Sequence, residues 1–406
     1  MKREMMLDLR LFATQTTLLN STGNDLSPEM KTYYDMELID QAEPNLVHDQ
    51  FGQKRPIPKN GGKNIEFRKF SALPKATTAI TEGVTPAGNK LNVTAVTAQV
   101  AQYGDYIQQS DVLELTAIDN TVLEATKLLG AQAGRTLDTI TRNEIVGGTN
   151  VLYADGSTRE GLSSTSLITL DLIFKAAAIL KAANAPQIDG SYVAIIHPHV
   201  AKDFMIAAKD AGSWTDVHKY ADPEAIFNGE IGKIGGVRFV ETTEAKIWAG
   251  ADLASNSRTL LANGAVSSAG KSVTFDGGTV AADALIGRYI IVNGIKAKVL
   301  DNTTTTLTLD TDVTCADNAV IYPGEGGAEG LAVYATMVLG ANAYGVTEIE
   351  GGGLQHIVKQ LGYGDDPLNQ RSSVGWKAIK TAKRLVEEYM VRIESCSSFS
   401  DGTTAN

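Results

Sequence analysis

Gly270, Lys271 and Ser272 are the residues best suited by type and spacing to do chemistry. They end the run Ala265-Val266-Ser267-Ser268-Ala269-Gly270-Lys271-Ser272, which satisfies a relaxed phosphate-binding-loop pattern with Ala265 in place of the first glycine. In such a loop the backbone amides cradle phosphates while the lysine reaches the terminal ones. That chemistry needs a helix after the loop, because its amino end supplies the amides. Here Val273-Thr274-Phe275-Asp276-Gly277-Gly278 follows, a strand and a turn, so nucleotide binding is not expected. His197 and His199 flank Pro198 and are of a type that ligates metals. With no second ligand type beside them, helix capping or solvation is the expectation. His48, His218 and His356 read as isolated, and Asp365-Asp366 reads as a solvated acidic pair. Cys315 and Cys396 are far apart without ligand spacing, which indicates neither a disulfide framework nor a zinc site and fits a reducing compartment. No serine, cysteine or carboxylate has a base at useful spacing. The expectation is therefore a non-enzyme with no catalytic, cofactor or metal residues.

The composition narrows the class further. A chain of 406 residues, 43% hydrophobic and 20% charged, is long enough for two or three globular domains. Its 36 basic and 47 acidic groups leave a net charge of -11, which argues against a dedicated nucleic-acid binder. Lys2-Arg3 open the chain, but Asp8 and Arg10 interrupt the first apolar run, so neither a signal peptide nor a spanning helix is expected.

The elements that could position function are organised around residues 121–148, which read as one long helix. Thr121 and Glu124 have capping-box spacing, and Gly147-Gly148 suggest a left-handed stop. Val122, Ala125, Leu129, Ala133, Leu137 and Ile140 fall on one face, and the small residues from Gly130 to Gly134 would admit a neighbouring backbone. Ahead of it, residues 1–23 read as an arm, and a short amphipathic helix follows from Pro28 to before Pro44. Lys54, Arg55, Lys59, Lys63, Arg68, Lys69 and Lys75 then face a single acid, Glu66. Alternation over residues 64–70 and 91–107 makes this a basic two-stranded ribbon with its tip at residues 81–86. A lone hairpin is marginal in water, so it needs a partner surface or folds back on its own domain.

Downstream, a helix over 169–183, a strand over 192–196 running into a helix at Pro198, and a strand over 236–241 make an α/β unit. From 257 to 327 the texture changes to short alternating runs. Turns fall at Asp276-Gly277-Gly278, Asn293-Gly294 and Asp301-Asn302, which suits a small β-barrel or sandwich. Its glycine-rich borders mark it as separable. A strand resumes over 331–339. The last segment holds a strand over 356–360 and runs over 374–385 and 389–394 in which helix and strand cannot be told apart by period.

The stretches LSPEMKTYYDMELIDQAEPNLVHDQFGQKRPIPKNGGKNIEFRKF, QYGDYIQQSDVLELTAIDN, LLGAQAGRTLDTITRNEIVGGTN, NGEIGKIGGVRFVET and GDDPLNQRSSVGWKA, in this order, resemble the phage major capsid proteins grouped with the coat protein of coliphage N-four. These are of the Hong Kong 97 type. The resemblance implies an α+β fold: an amino-terminal arm with a short helix (1–52), an extended β-hairpin loop (53–110) and a peripheral domain with a long spine helix (111–165). An axial α/β domain (166–256 and 328–352), an inserted small all-β domain (257–327) and peripheral carboxy-terminal strands with a tail (353–406) complete it. It further implies a virion protein that self-assembles, as pentamers and hexamers, into an icosahedral shell around double-stranded DNA held without sequence specificity. Assembly would occur in the bacterial host cytoplasm, with scaffolding, portal or decoration proteins as further partners and with no membrane and no cofactor. Candidate inter-subunit contacts are Lys54, Arg55, Lys63, Arg68, Lys69 and Glu82. An encapsulin-like compartment shell of the same fold, or a nucleotide-binding α/β protein, are the alternatives.

Overall fold

The computed structural model describes residues 47–406 apart from 71–72, 81, 86–87, 117–120, 157, 211–214, 217–229, 351–352, 360–365, 367 and 402. The expected arm and short helix, His218 and Asp365 lie outside the described residues. In chain order come β1 (Gln53–Lys54), β2 (Asn64–Phe70), β3 (Val93–Gln99), β4 (Ala101–Ser110), α1 (Asp111–Thr116) and the long α2 (Thr121–Val146). Next are β5 (Val151–Tyr153), α3 (Leu170–Ala182), β6 (Tyr192–Ile196), α4 (Pro198–Asp210), β7 (Thr215–Asp216), β8 (Glu230–Ile234), β9 (Val237–Glu241) and β10 (Ile247–Trp248). Six strands then follow without an α-helix: β11 (Leu260–Ala262), β12 (Val266–Asp276), β13 (Tyr289–Val292), β14 (Ile295–Asn302), β15 (Thr306–Cys315) and β16 (Val320–Pro323). The chain closes with β17 (Val333–Leu339), β18 (Tyr344–Glu348), β19 (Gln355–Lys359), β20 (Arg371–Arg384) and β21 (Met390–Ser395). The described residues divide into two compact units, one of residues 55–137 and 347–381, the other of residues 47–54, 138–346 and 382–406.

In the first unit β2 and β3 form an antiparallel ribbon in register from Asn64 opposite Gln99 to Phe70 opposite Val93. Alternation sets its faces: Phe67 is buried, while Glu66, Arg68 and Phe70 on the other face are exposed. The ribbon does not continue to Ile107 as the pattern suggested. The Val100 amide donates to Lys63, and β4 then changes partner and pairs with β20 from Ala101 opposite Lys380 to Ser110 opposite Arg371. A Cβ on Gly104 would lie 2.5 Å from the Trp376 carbonyl oxygen, so a side chain there would push these strands apart. The amino-terminal part of α2 buries Ala125, Leu129, Ala133 and Leu137. Within the stretch of small residues Gly130 is exposed, whereas Ala131 and Ala133 are buried. Polar groups join the helix to the sheet. Gln132 donates to Asp105 at 2.7 Å and accepts from the Trp376 indole at 3.1 Å, and the Lys380 ammonium donates to the Leu137 carbonyl at 3.0 Å. Glu124 pairs with Lys127 at 3.5 Å.

In the second unit the strand order is β5-β21-β17-β6-β9-β8-β7, with β10 also on β17. β6 and β17 are buried along their whole length, as an unbroken apolar run requires when both faces of a strand are covered. Tyr192, Ala194 and Ile196 pack with Ile173, Leu180, Val200 and Phe204 of α3 and α4. Val193 and Ile195 pack on the other side with Ile145 and Val146 of α2, Phe51 and Tyr344. Residues 353–406 are not one piece: β20 falls in the first unit as far as Thr381, whereas β21 pairs antiparallel with β17. Val391 and Ile393 are fully buried in that slot.

Two local features differ from the sequence pattern. Gly147 and Gly148 do not adopt a left-handed conformation. Instead the Arg392 guanidinium donates to the Val146 and Gly148 carbonyls, so a cation closes the carboxyl end of α2. His48 is not isolated. Its ring Nδ1 lies 2.6 Å from Asp138, both side chains are 1% exposed, and its amide also donates to Asp138 at 2.8 Å.

Residues 260–323 close a barrel in the order β11-β12-β15-β14-β13-β16 around Phe275, Ile290, Val299, Leu307 and Ile321. Asn293 and Gly294 take φ of 48° and 75°, the signature of a two-residue hairpin turn that favours this pair. Asp301-Asn302 is not a turn but the end of β14. Asn302 is buried, accepts from the Leu285 amide at 2.8 Å and donates to the Ala281 carbonyl at 2.9 Å.

Candidate inter-subunit interface

The phosphate-loop pattern lies along strand β12, with Lys271 and Ser272 exposed, so no loop is present to cradle an anion. His197 serves as a cap: it precedes Pro198, and its Nδ1 accepts the His199 amide at 3.1 Å at the start of α4. The His199 ring is engaged with the Tyr334 hydroxyl at 2.8 Å. Among the described residues no three His, Cys, Asp or Glu side chains gather as metal ligands. Cys315 and Cys396 are both free and buried, and burial pushes the Cys396 thiol up to about 11, far from a reactive thiolate.

Burial, and then the nearby His199 ring, push His197 down from 6.5 to about 4. The unfolded chain takes up a proton between pH 6.5 and 4 that the folded chain refuses. This site therefore costs stability as pH falls through that window, by about 3 kcal/mol at pH 4. Asp203 and Glu160 are held below the usual carboxylate range by their hydrogen bonds, against the opposing effect of burial, and act in the same direction. Their contribution must be separated from that of the histidine. His197→Asn keeps the cap and should flatten the slope of unfolding free energy between pH 6.5 and 4, measured by urea denaturation; an unchanged slope would show that His197 titrates normally.

The ribbon carries the surface that a single chain leaves unused. Phe70 is 61% exposed, Leu73 54%, Ile80 74%, Val84 61%, Leu91 71% and Val93 49%. Six large apolar side chains exposed within one short segment make it a candidate interaction surface. Phe70 and Val93 are directly opposed, so the ribbon ends in an exposed apolar pair. Lys63, Arg68 and Lys69 share the ribbon, and Glu82 is exposed in a turn with Gly83 at φ 77°. Lys54 belongs to the second unit, where β1 pairs it with Val346 and its side chain is exposed. Arg68 already donates to Glu66 at 2.8 Å. Exposed pairs contribute about 0 to 1 kcal/mol each, whereas fully burying one large apolar side chain contributes about 1.5 to 3 kcal/mol. The apolar set thus dominates the charges. The basic residues stand out in the sequence by composition, whereas the exposure of the apolar set shows only in the structure, since four of its six members lie in the loop between β2 and β3.

Also in the first unit, an open groove runs along β4, β20 and β19, lined by Tyr106, Ile357, Lys359, Gly375, Trp376 and Lys377. Tyr106 is 68% exposed opposite Gly375, where an added Cβ would come 2.8 Å from the Tyr106 Cβ.

The family model described as phage capsid protein matches residues 119–363, more than half of the sequence. The chain belongs to the phage capsid protein family. Three solved structures share its fold at low identity. The capsid of Ralstonia phage GP4 is 13% identical with a TM-score of 0.57, over 95% of this chain and 100% of that one. The Cyanophage Pam1 capsid is 12% identical with a TM-score of 0.54, over 93% and 99%. The capsid of Cyanophage P-SCSP1u is 13% identical with a TM-score of 0.52, over 96% and 100%. None of the curated proteins matches the sequence. The fold of this phage capsid protein is thus the Hong Kong 97 type, its family and fold are those of a structural protein, and its place is the virion capsid. The alternative built on Gly270 loses its structural basis, since that segment is a strand.

Proposed function

We propose that this phage capsid protein is the major capsid protein of a coliphage N-four-like phage, assembled as pentamers and hexamers in the host cytoplasm into the icosahedral shell around double-stranded DNA. In this reading α2 is the spine helix, β2 and β3 with their tip are the extended loop, and the sheet of the second unit is the axial domain. The chain does no catalysis. At a net charge of -11 it contacts the packaged DNA without sequence specificity, and scaffolding, portal and decoration proteins join it during assembly. The observation that carries the proposal is the exposed apolar set of the ribbon, which a second copy must cover.

The receiving surface is the groove along β4, β20 and β19 of the neighbouring copy. It offers apolar Tyr106 and Ile357 to Ile80 and Val84, and basic Lys377 to Glu82, the one acid between residues 71 and 92, while the groove's own acid, Asp105, is engaged by Gln132. Glu82→Lys alone and Lys377→Glu alone should each lower particle yield about tenfold at low salt, a change of about 1.4 kcal/mol per contact. The two combined in one chain should recover most of it, read by light scattering. Failure of the combined variant to recover would remove the groove as the receiving surface.

A further inference from the structure

The barrel of this chain does not hang on flexible linkers. Its entry and exit pack so tightly that glycine is sterically required: a Cβ on Gly250 would lie 2.0 Å from the Pro323 Cβ, and one on Gly326 2.2 Å from the Leu331 carbonyl oxygen. The glycine-rich border that marks the barrel as separable in sequence is a packed crossing. Arg288 of the barrel then brackets both connections, donating to the Ala251 and Asp252 carbonyls at 2.6 and 2.9 Å and to the Glu325 carboxylate at 3.3 Å. Arg258 donates to the Gly330 carbonyl at the exit.

A second set of contacts ties the barrel to the central sheet. Lys296 on β14 pairs with Glu160. The adjacent Arg159 forks onto Glu394 of β21 at 2.7 and 2.8 Å while its guanidinium stacks 3.7 Å from the centre of the Trp248 ring. Glu394 is fully buried and also accepts from Arg392 at 2.8 Å, and Arg392 holds the last carbonyls of α2. The contacts Lys296–Glu160 and Arg159–Glu394–Arg392, joined by the peptide bond between Arg159 and Glu160, form one continuous path.

We infer that the barrel is a rigid lever on the central sheet, and that this path couples it mechanically to the carboxyl end of α2. A load or a partner acting on the barrel is transmitted to the helix end and not absorbed in a hinge. Charge-assisted contacts in a packed setting hold one arrangement, and the glycine crossings leave the connections no room to swing.

The test is amide hydrogen exchange on the full-length protein, comparing the original chain with the double variant Glu160→Gln, Lys296→Met. Three amides report separately: Ala328, bonded to Leu162 at the barrel exit; Gly148, bonded to Ile145 at the helix end; and Val299, bonded to Arg288 inside the barrel. The expected result is at least tenfold faster exchange at Ala328 and Gly148 with Val299 unchanged, and recovery in the swapped pair Glu160→Lys, Lys296→Glu. Unchanged exchange at Gly148 would overturn the coupling. Faster exchange at Val299 would overturn it equally, because the pair would then hold the barrel folded and not hold it in place.

Discussion

Replacing Phe70 and Val93 together by aspartate should leave the subunit folded and abolish its assembly. The two side chains oppose each other on the ribbon and are 61% and 49% exposed in the single chain, so the substitution removes no core packing and costs the ribbon only the repulsion of two opposed carboxylates, about 0.2 to 1 kcal/mol. Exposed substitutions of this kind usually stay within about 0.5 kcal/mol each, a shift of about one degree in Tm for a chain of this size. At a covered interface the same change is severe. It forfeits about 1.5 to 3 kcal/mol for each apolar side chain and adds two carboxylates whose desolvation costs several kcal/mol more. Since about 1.4 kcal/mol is a factor of ten, each contact weakens by at least about a thousandfold, and a closed shell repeats the contact in every subunit. Thermal unfolding beside sedimentation velocity reads both halves. Particles at the original yield would remove the ribbon from the interface. The charge reversal Arg68→Glu with Lys69→Glu should do less, because Arg68 is already paired with Glu66, and high salt should mask it.

The largest loss of subunit stability is expected from Glu394→Gln. Glu394 is fully buried between Arg159 and Arg392, which form three charge-assisted hydrogen bonds to it at 2.7 to 2.8 Å. Burial lowers the pKa of Arg392, and Glu394 opposes that shift. Removing the carboxylate charge leaves two guanidinium groups at low exposure without compensation, which costs about 3 to 5 kcal/mol. The midpoint of urea unfolding should fall accordingly, at an unchanged denaturant slope. A loss below about 1 kcal/mol would show that water or a neighbouring group takes over the charge.

What the sequence made legible follows from the range of each signal. The long helix α2 and the strand at Tyr192 leading to the helix at Pro198 are local patterns, and each lies within a few residues of its expected place; the barrel strands are likewise local runs of period 2. The Asn293-Gly294 turn is local chemistry in the same sense. His48 escaped because its partner Asp138 is 90 residues away and no spacing rule reaches that far. The switch of β4 from the ribbon to β20, and of β21 into the central sheet, are pairing choices between distant segments that the same alternating pattern permits. Glycines 147 and 148 suggested a helix stop, yet the stop is made by Arg392, which sequence places far downstream. For the candidate interface, the basic residues stood out by composition. Phe70, Ile80 and Leu91 did not, since an apolar residue looks the same in sequence whether its own fold buries it or leaves it exposed.

Electron microscopy of the expressed full-length protein, with the Phe70→Asp, Val93→Asp variant prepared in parallel, tests the central claim most directly. The account predicts closed particles built of repeated capsomers for the original chain and a folded, unassembled subunit for the variant. A monodisperse monomer from the original chain at high concentration, or identical particles from both, would contradict it.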